Sequence, residues 1–265
     1  DSFATYYDHV NEEAPFKIEY FTFFNVGSHG DFGGEKAQEI FHHRRESIKG
    51  FSEKVGKEVI TVDSNLSDIL RMNFQKTHTL RSISCVLLLQ KLFRNYYYAS
   101  SVRFDQFKLD QIRIAEYDLL NLQTLSTEST SIFSSVAQYN RIERIELLAK
   151  EPDTYSYLDV CTNPRFQGAR INCSECNKCI RTMFTLEILG FLEKYTSVFD
   201  LQKFQKNKLE YLGPLLFGAD KETLDIQLLR LMKERKIRVR AQTYYYGLKW
   251  FLLNKKKKLK NRLKR

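Results

Sequence analysis

Four of the chain's five cysteines fall in one short stretch: Cys161 in LDVCTNPRFQG, then Cys173, Cys176 and Cys179 in INCSECNKCIRT. The pattern is Cys-x11-Cys-x2-Cys-x2-Cys. A Cys-x2-Cys pair lets two thiolates on one tight turn converge on a single ion, and four thiolates close a tetrahedral zinc shell. A closed shell points to a structural zinc without an open catalytic position. An iron–sulfur cluster and metal-free thiols are the other readings of the same residues. Lys178, Arg181 and nearby backbone N–H groups can offset the charge of four thiolates. Cys85 lies apart, inside an apolar helical pattern, and reads as a small core residue.

The elements that must position this chemistry alternate. Residues 16–27 read as a strand ending in a glycine turn, 33–56 as a helix with a glycine stop, and 57–64 as a second strand. Residues 77–93 read as a buried helix, 95–102 as a third strand and 119–125 as a fourth. A Ser/Thr loop and a helix over 132–150 follow. This order predicts parallel βαβ units in a doubly wound sheet, with ligands at the carboxyl ends of the strands. The polar clusters NVGSHG, DSNLSD, ASS and LSTEST fall at those ends. Beyond the cysteines the chain reads as helical over 180–189 and 221–236. The expected divisions are 1–155, 156–190 around the cysteines, a helical extension over 191–243 and a basic tail over 244–265.

Composition excludes some classes. The content of apolar and aromatic residues is that of a protein with a core. No apolar run approaches about 18 residues, so no membrane-spanning helix is expected. With no secretory signal read, disulfides are disfavoured and a cytoplasmic setting is expected. The net charge of +10 is unevenly placed: residues 230–265 carry 15 Lys/Arg against one acid, Glu234. The rest has 27 basic and 31 acidic residues, which argues against a basic nucleic-acid-binding body. The tail, YYYGLKWFLLNKKKKLKNRLKR, is a solvated basic end or a contact for anionic lipid or RNA.

Several single residues have two readings. Asp1 and Ser2 open a helix and form either an ordinary cap or part of a phosphate site. Arg81 at a helix start suits phosphate oxygens or a surface ion pair. His29 and His78 are acid–base candidates or solvent-facing loop residues. Ser126, Thr127 and Glu128 are substrate contacts or capping chemistry, and Asp63, Ser64 and Asn65 pose the same choice.

The cysteine pattern after βαβ units resembles the N-type ATP pyrophosphatases, the PP-loop superfamily. Within it the chain is similar to cyano-deazaguanine synthase and to the muramoyl-dipeptide glutamyl epimerase group. Asp1-Ser2 resembles the end of the Ser-Gly-Gly-x-Asp-Ser signature, whose first residues and preceding strand are then expected upstream. YFTFFNVGSHG, THTLRSIS, YYYASSV and YNRIERIELLA resemble later segments of the nucleotide-binding domain. The resemblance spans residues 1 to about 190, is specific at the cysteines and is loose elsewhere.

The resemblance implies a Rossmann-like (HUP-type) fold, ATP and Mg²⁺ as cofactors beside Zn²⁺, and release of AMP and pyrophosphate on adenylation of a carboxyl or amide group. The implied substrate is a small molecule or a cell-wall or glycan precursor. Catalysis would fall to Asp1, Arg81 and His29, and nucleotide binding to Asp1, Ser2, Asn25, Arg81 and Ser100. The zinc ligands would be Cys161, Cys173, Cys176 and Cys179. A tRNA-modifying enzyme of the same superfamily and a non-catalytic, zinc-stabilised binding protein are the alternatives.

Overall fold

The computed structural model describes residues 1–30, 32–109, 113–161, 163, 170–218 and 223–263. The chain divides into two units, Asp1–Leu148 and Ala149–Arg265. It is a mixed α/β protein with short parallel strand pairs.

The first unit runs α1 (Ser2–Asp8), β1 (Tyr20–Asn25), α2 (Glu35–Lys54), β2 (Glu58–Asp63), α3 (Leu66–Leu70), α4 (His78–Leu88), β3 (Asn95–Ala99), α5 (Asp118–Leu125), β4 (Ser131–Ser135) and α6 (Arg141–Ala149). β1 pairs in parallel with β2, from Tyr20 opposite Glu58 to Asn25 opposite Asp63. β3 pairs in parallel with β4, from Asn95 opposite Ser131 to Ala99 opposite Ser135. Parallel neighbours need a crossover rather than a hairpin, which α2 supplies for the first pair and α5 for the second. Among the described residues the strands form two separate two-stranded sheets.

One apolar core nevertheless serves both pairs. Phe24 and Val26 from the β1 end pack with Ile83 and Val86 of α4, Leu122 of α5 and Ile132 of β4. Thr79, Ile83 and Val86 recur at helical spacing, which turns one face of α4 inward. On α2, Phe41 is fully buried and stacks on Phe23 with ring centroids 4.9 Å apart. Each such side chain contributes about 1.5–3 kcal/mol of burial.

Two expected elements are corrected. Residues 119–125, expected as a strand, form most of α5, and the fourth strand is Ser131–Ser135, where a helix was expected to begin. A short apolar run such as LLNLQTL fits a helix or a strand equally by periodicity. Packing decides for the helix, with Leu122 buried in the core. β4 escapes notice because only Ile132 and Ser135 of SIFSS are buried. Ser126, Thr127 and Glu128 therefore precede a strand and do not lie at a carboxyl end. There Thr127 N–H bonds the Thr130 carbonyl at 3.0 Å, and Thr130 Oγ1 donates to the Phe93 carbonyl at 2.7 Å.

The second unit carries the four clustered cysteines and, among its described residues, the α-helices α7 (Asn177–Leu189), α8 (Leu201–Leu216), α9 (Thr223–Glu234) and α10 (Ala241–Leu263). Asp200 caps α8 by accepting the N–H groups of Gln202 and Lys203. Arg181 of α7 donates to Asp225 of α9 at 3.2 Å, and Tyr211 of α8 donates to the same oxygen at 2.8 Å. α8 and α10 pack closely because both carry glycine at their crossing. A Cβ on Gly213 would lie 2.6 Å from the Gly247 nitrogen. The expected low-complexity tail is thus helical through Leu263. Residues 221–222 of the expected helix, and the last two residues of the chain, lie outside the described residues. No described helix is long and apolar enough to cross a membrane.

Candidate functional site

The four cysteines come together. The Sγ atoms of Cys161, Cys173, Cys176 and Cys179 all lie within 4.8 Å of one another. Cys176 and Cys179 are 3.4 Å apart and Cys173 and Cys179 3.8 Å. A tetrahedral ion with bonds of about 2.3 Å to sulfur sets its ligands about 3.8 Å apart, so the donors fit zinc. None of the cysteines forms a disulfide. These four residues could hold a zinc ion.

Local structure explains the convergence. Ser174 takes a left-handed conformation, φ 62°, which turns the chain between Cys173 and Cys176. Cys176 is the N-cap of α7 and Cys179 lies in its first turn, so the positive end of the helix faces the thiolates. Backbone N–H groups add to this: Cys176 N donates to Cys173 Sγ at 3.3 Å and Asn163 N to Cys161 Sγ at 3.4 Å. Hydrogen bonds from Cys161 and then Cys179 favour the thiolate at Cys176. Most of the loop between Cys161 and Cys173 lies outside the described residues.

A residue that spacing could not reveal holds the distant ligand. Asn172 is buried, and its Oδ1 accepts the N–H groups of Val160 at 2.9 Å and Cys161 at 3.1 Å. Its Nδ2 donates to the carbonyls of Leu158 at 2.7 Å and Val198 at 3.2 Å. A single asparagine leaves no pattern in the sequence.

A second polar group stands at the end of β3 and beside α6. The Asp1 carboxylate does not cap α1. It accepts from Arg141 and Arg144, each at 2.6 Å. Arg144 also donates to the Ser100 carbonyl at 2.5 Å. Ser100 Oγ and Ser134 Oγ are 2.6 Å apart. Burial, then the charge of Arg141, pushes Arg144 down to about 10, so it stays a cation at neutral pH. Asn140 and Glu143 fix α6 reciprocally: Asn140 Oδ1 accepts the N–H of Ile142 and Glu143, and Glu143 accepts that of Asn140. The two arginines, three residues apart on one helical face, were missed as site residues; that spacing in NRIER was the available signal. Ser2 is exposed at the start of α1.

The other expected residues are placed as follows. Asn25, at the end of β1, donates to Asp63 at 2.9 Å and to Gln38 at 3.0 Å. The Asn25 bond, then that from Gln38, holds the Asp63 carboxyl below its usual range. Arg81 is 2% exposed and donates to the carbonyls of Val26 and Met72 and to Ser67 Oγ. It braces the loop after β1, where a Cβ on Gly27, φ 114°, would lie 2.6 Å from its guanidinium. Its burial corrects the expected surface position. His29 is buried beside Phe23 and Phe41 and bonded to Ser28, so it does not face solvent. Burial, then Arg44, lowers it to about 4, which leaves a neutral imidazole at pH 7. His78 is lowered to about 4 by burial and bonds Tyr98 at 2.9 Å. Cys85 is 3% exposed, and burial raises its thiol.

A cleft of about 250 Å³ opens near the end of β4, lined by Asp8, His9, Phe16, Tyr97, Phe133 and Ser135 among others. His9 stacks on Tyr97 at 4.1 Å and bonds Ser135 Oγ at 3.1 Å. His9 follows α1 as its C-cap and belongs to no motif that the sequence displays. No family model, curated protein or solved structure matches the chain.

Proposed function

We propose that the chain is an adenylating enzyme that forms AMP and pyrophosphate from ATP while activating a carboxyl or amide group of a small molecule or cell-wall or glycan precursor. The single observation that carries the reading is the Asp1 carboxylate held between Arg141 and Arg144 at the end of β3. Two guanidinium groups, one of them almost fully buried, converge on one oxygen of this carboxylate. In this reading the carboxylate stands where phosphate oxygens would bind, since guanidinium groups suit both kinds of anion. Strand carboxyl ends are where parallel α/β proteins take their ligands. In this reading the two parallel pairs belong to a Rossmann-like, doubly wound arrangement.

The roles follow from charge. Arg141 and Arg144 bind phosphate oxygens and stabilise the negative charge that grows as pyrophosphate departs. Asp1 is the residue that would hold Mg²⁺, directly or through water, once phosphates take its place on the arginines. Ser2 and Ser100 supply small polar groups at the rim, and Asn25 orients Asp63. His29, neutral at pH 7, is assigned proton acceptance rather than donation. Arg81 acts as a positioning residue for the loop that carries His29. Zinc, when bound by the four cysteines, supplies structure alone, since four protein thiolates leave no open position.

Tyr and Ser contacts in the cleft do not supply a sulfur carrier, and the buried Cys85 is a poor persulfide site, which weighs against tRNA thiolation. Calorimetric titration with Mg-ATP tests the arginine pair. Arg141→Met, at the more exposed of the two, is expected to weaken binding about tenfold or more. Unchanged affinity in that variant would remove the pair, and with it the argument for this function.

A further inference from the structure

Helix α10 has two different faces. Thr243 and Gly247 are buried, and Gly247 lies against Gly213 of α8. The other side is apolar and open: Tyr244, Tyr245, Leu248, Phe251 and Leu252 are between 44% and 65% exposed. Residues 244, 248, 251 and 252 recur at helical spacing and make one outward stripe. Lys249 and Lys255 are exposed alongside it. From Lys249 to Arg265 the sequence has nine basic residues and no acid.

Three occupants can be weighed by chemistry. RNA would match the lysines with phosphates but leave the leucines and Phe251 against water. A second copy of the helix would cover the apolar stripe but bring two sets of nine positive charges together. An anionic bilayer surface satisfies both features. Apolar side chains enter the boundary between headgroups and acyl chains, while lysine stems extend along it and place their charges among lipid phosphates. The helix is not apolar enough to cross, so it would lie in the plane of the interface.

We infer that α10 is an interfacial anchor that docks this chain on an anionic phospholipid surface. The apolar stripe is short, about two helical turns, so the apolar contact and the charge must act together. Binding then depends on the fraction of anionic lipid and falls with salt. Each lysine near the surface contributes about fivefold. The inference rests on α10 alone and stands apart from the adenylation reading.

The test is co-sedimentation of the full chain with extruded vesicles, phosphatidylglycerol and phosphatidylcholine at 3:7 against phosphatidylcholine alone. Binding to the anionic vesicles only, released by 0.5 M salt, is expected. Leu248→Gln with Leu252→Gln alters exposed positions and leaves the α8 contact intact; circular dichroism confirms the helix content. This pair, and separately Lys255→Gln with Lys256→Gln, are each expected to weaken binding tenfold or more. Vesicle binding unaffected by the leucine pair would overturn the anchor in favour of plain electrostatic adsorption. Failure to bind anionic vesicles overturns it outright. In that event, binding of a 30-nucleotide single-stranded RNA would assign the basic helix to RNA. A concentration-dependent dimer abolished by the leucine pair would assign the stripe to a second copy.

Discussion

Asn172 ties Cys161 to the other three cysteines. Its amide oxygen accepts the Cys161 N–H at 3.1 Å, and the next residue in the chain is Cys173. One side chain thus sets the separation of the two arms of the cysteine cluster. Its four hydrogen bonds, all to backbone groups, replace the short-turn geometry that positions the other ligands.

Asn172→Ala removes this clamp and strands buried N–H and carbonyl groups. The cost is expected to be about 3 kcal/mol, with zinc affinity falling because the fourth ligand is no longer pre-placed. Elemental analysis should find one zinc per wild-type chain, and competition with a chelator should show faster loss from the variant. Cys176→Ser should lose the ion entirely. Thiolates are the ligands, so retention should fall as pH drops and the thiols take up protons. Equal zinc retention in wild type and Cys176→Ser would contradict the ligand set.

His29 predicts acid sensitivity. Its value falls to about 4 in the folded chain, from an ordinary 6.5, because burial disfavours the imidazolium. The folded state therefore binds fewer protons than the unfolded one. Its stabilising contribution is complete above pH 6.5 and is lost as pH falls toward 4. His78 has the same sign. Asp118, raised to about 6 by burial, has the opposite sign, and its contribution is lost as pH rises through 6. Two histidines against one carboxyl leave net acid destabilisation. In urea melts at pH 7 and 4.5, His29→Asn should lose about 2 kcal/mol less than wild type between the two values. Equal losses would contradict the buried neutral imidazole.

The α8–α10 crossing depends on glycine at both positions. A Cβ at Gly247 would run into the Phe217 ring and lie 2.6 Å from the Gly213 carbonyl. Since one obstacle is backbone, the strain has no easy release, and Gly247→Ala should cost about 3 kcal/mol. Limited proteolysis should cut α10 from the variant first. Identical protection in the two proteins would show that the crossing is looser than described.

The cysteine site was legible because ligand spacing on short turns is local information. The strands β1 to β3 were legible because their apolar content fits half-buried strands bounded by turn residues. β4 was not, since SIFSS buries too little to stand out, and LLNLQTL misled because its period fits either element. Asn172 and the Arg141–Asp1–Arg144 contact join residues distant in sequence or lacking a pattern, and folding alone brings them into view. The order in the basic tail was hidden for a similar reason. The lysine run signals solvent, while Thr243 and Gly247, which decide the packing on α8, precede it.

The most direct test of adenylation is the identity of the nucleotide products. The protein would be incubated with Mg-ATP and candidate carboxylates, muramoyl peptides among them, and followed by phosphorus NMR. The account predicts pyrophosphate released in step with the acyl adenylate, and AMP freed as water or an added amine displaces it from the acyl group, all dependent on the carboxylate and greatly reduced in Arg141→Met. ADP with inorganic phosphate would contradict it.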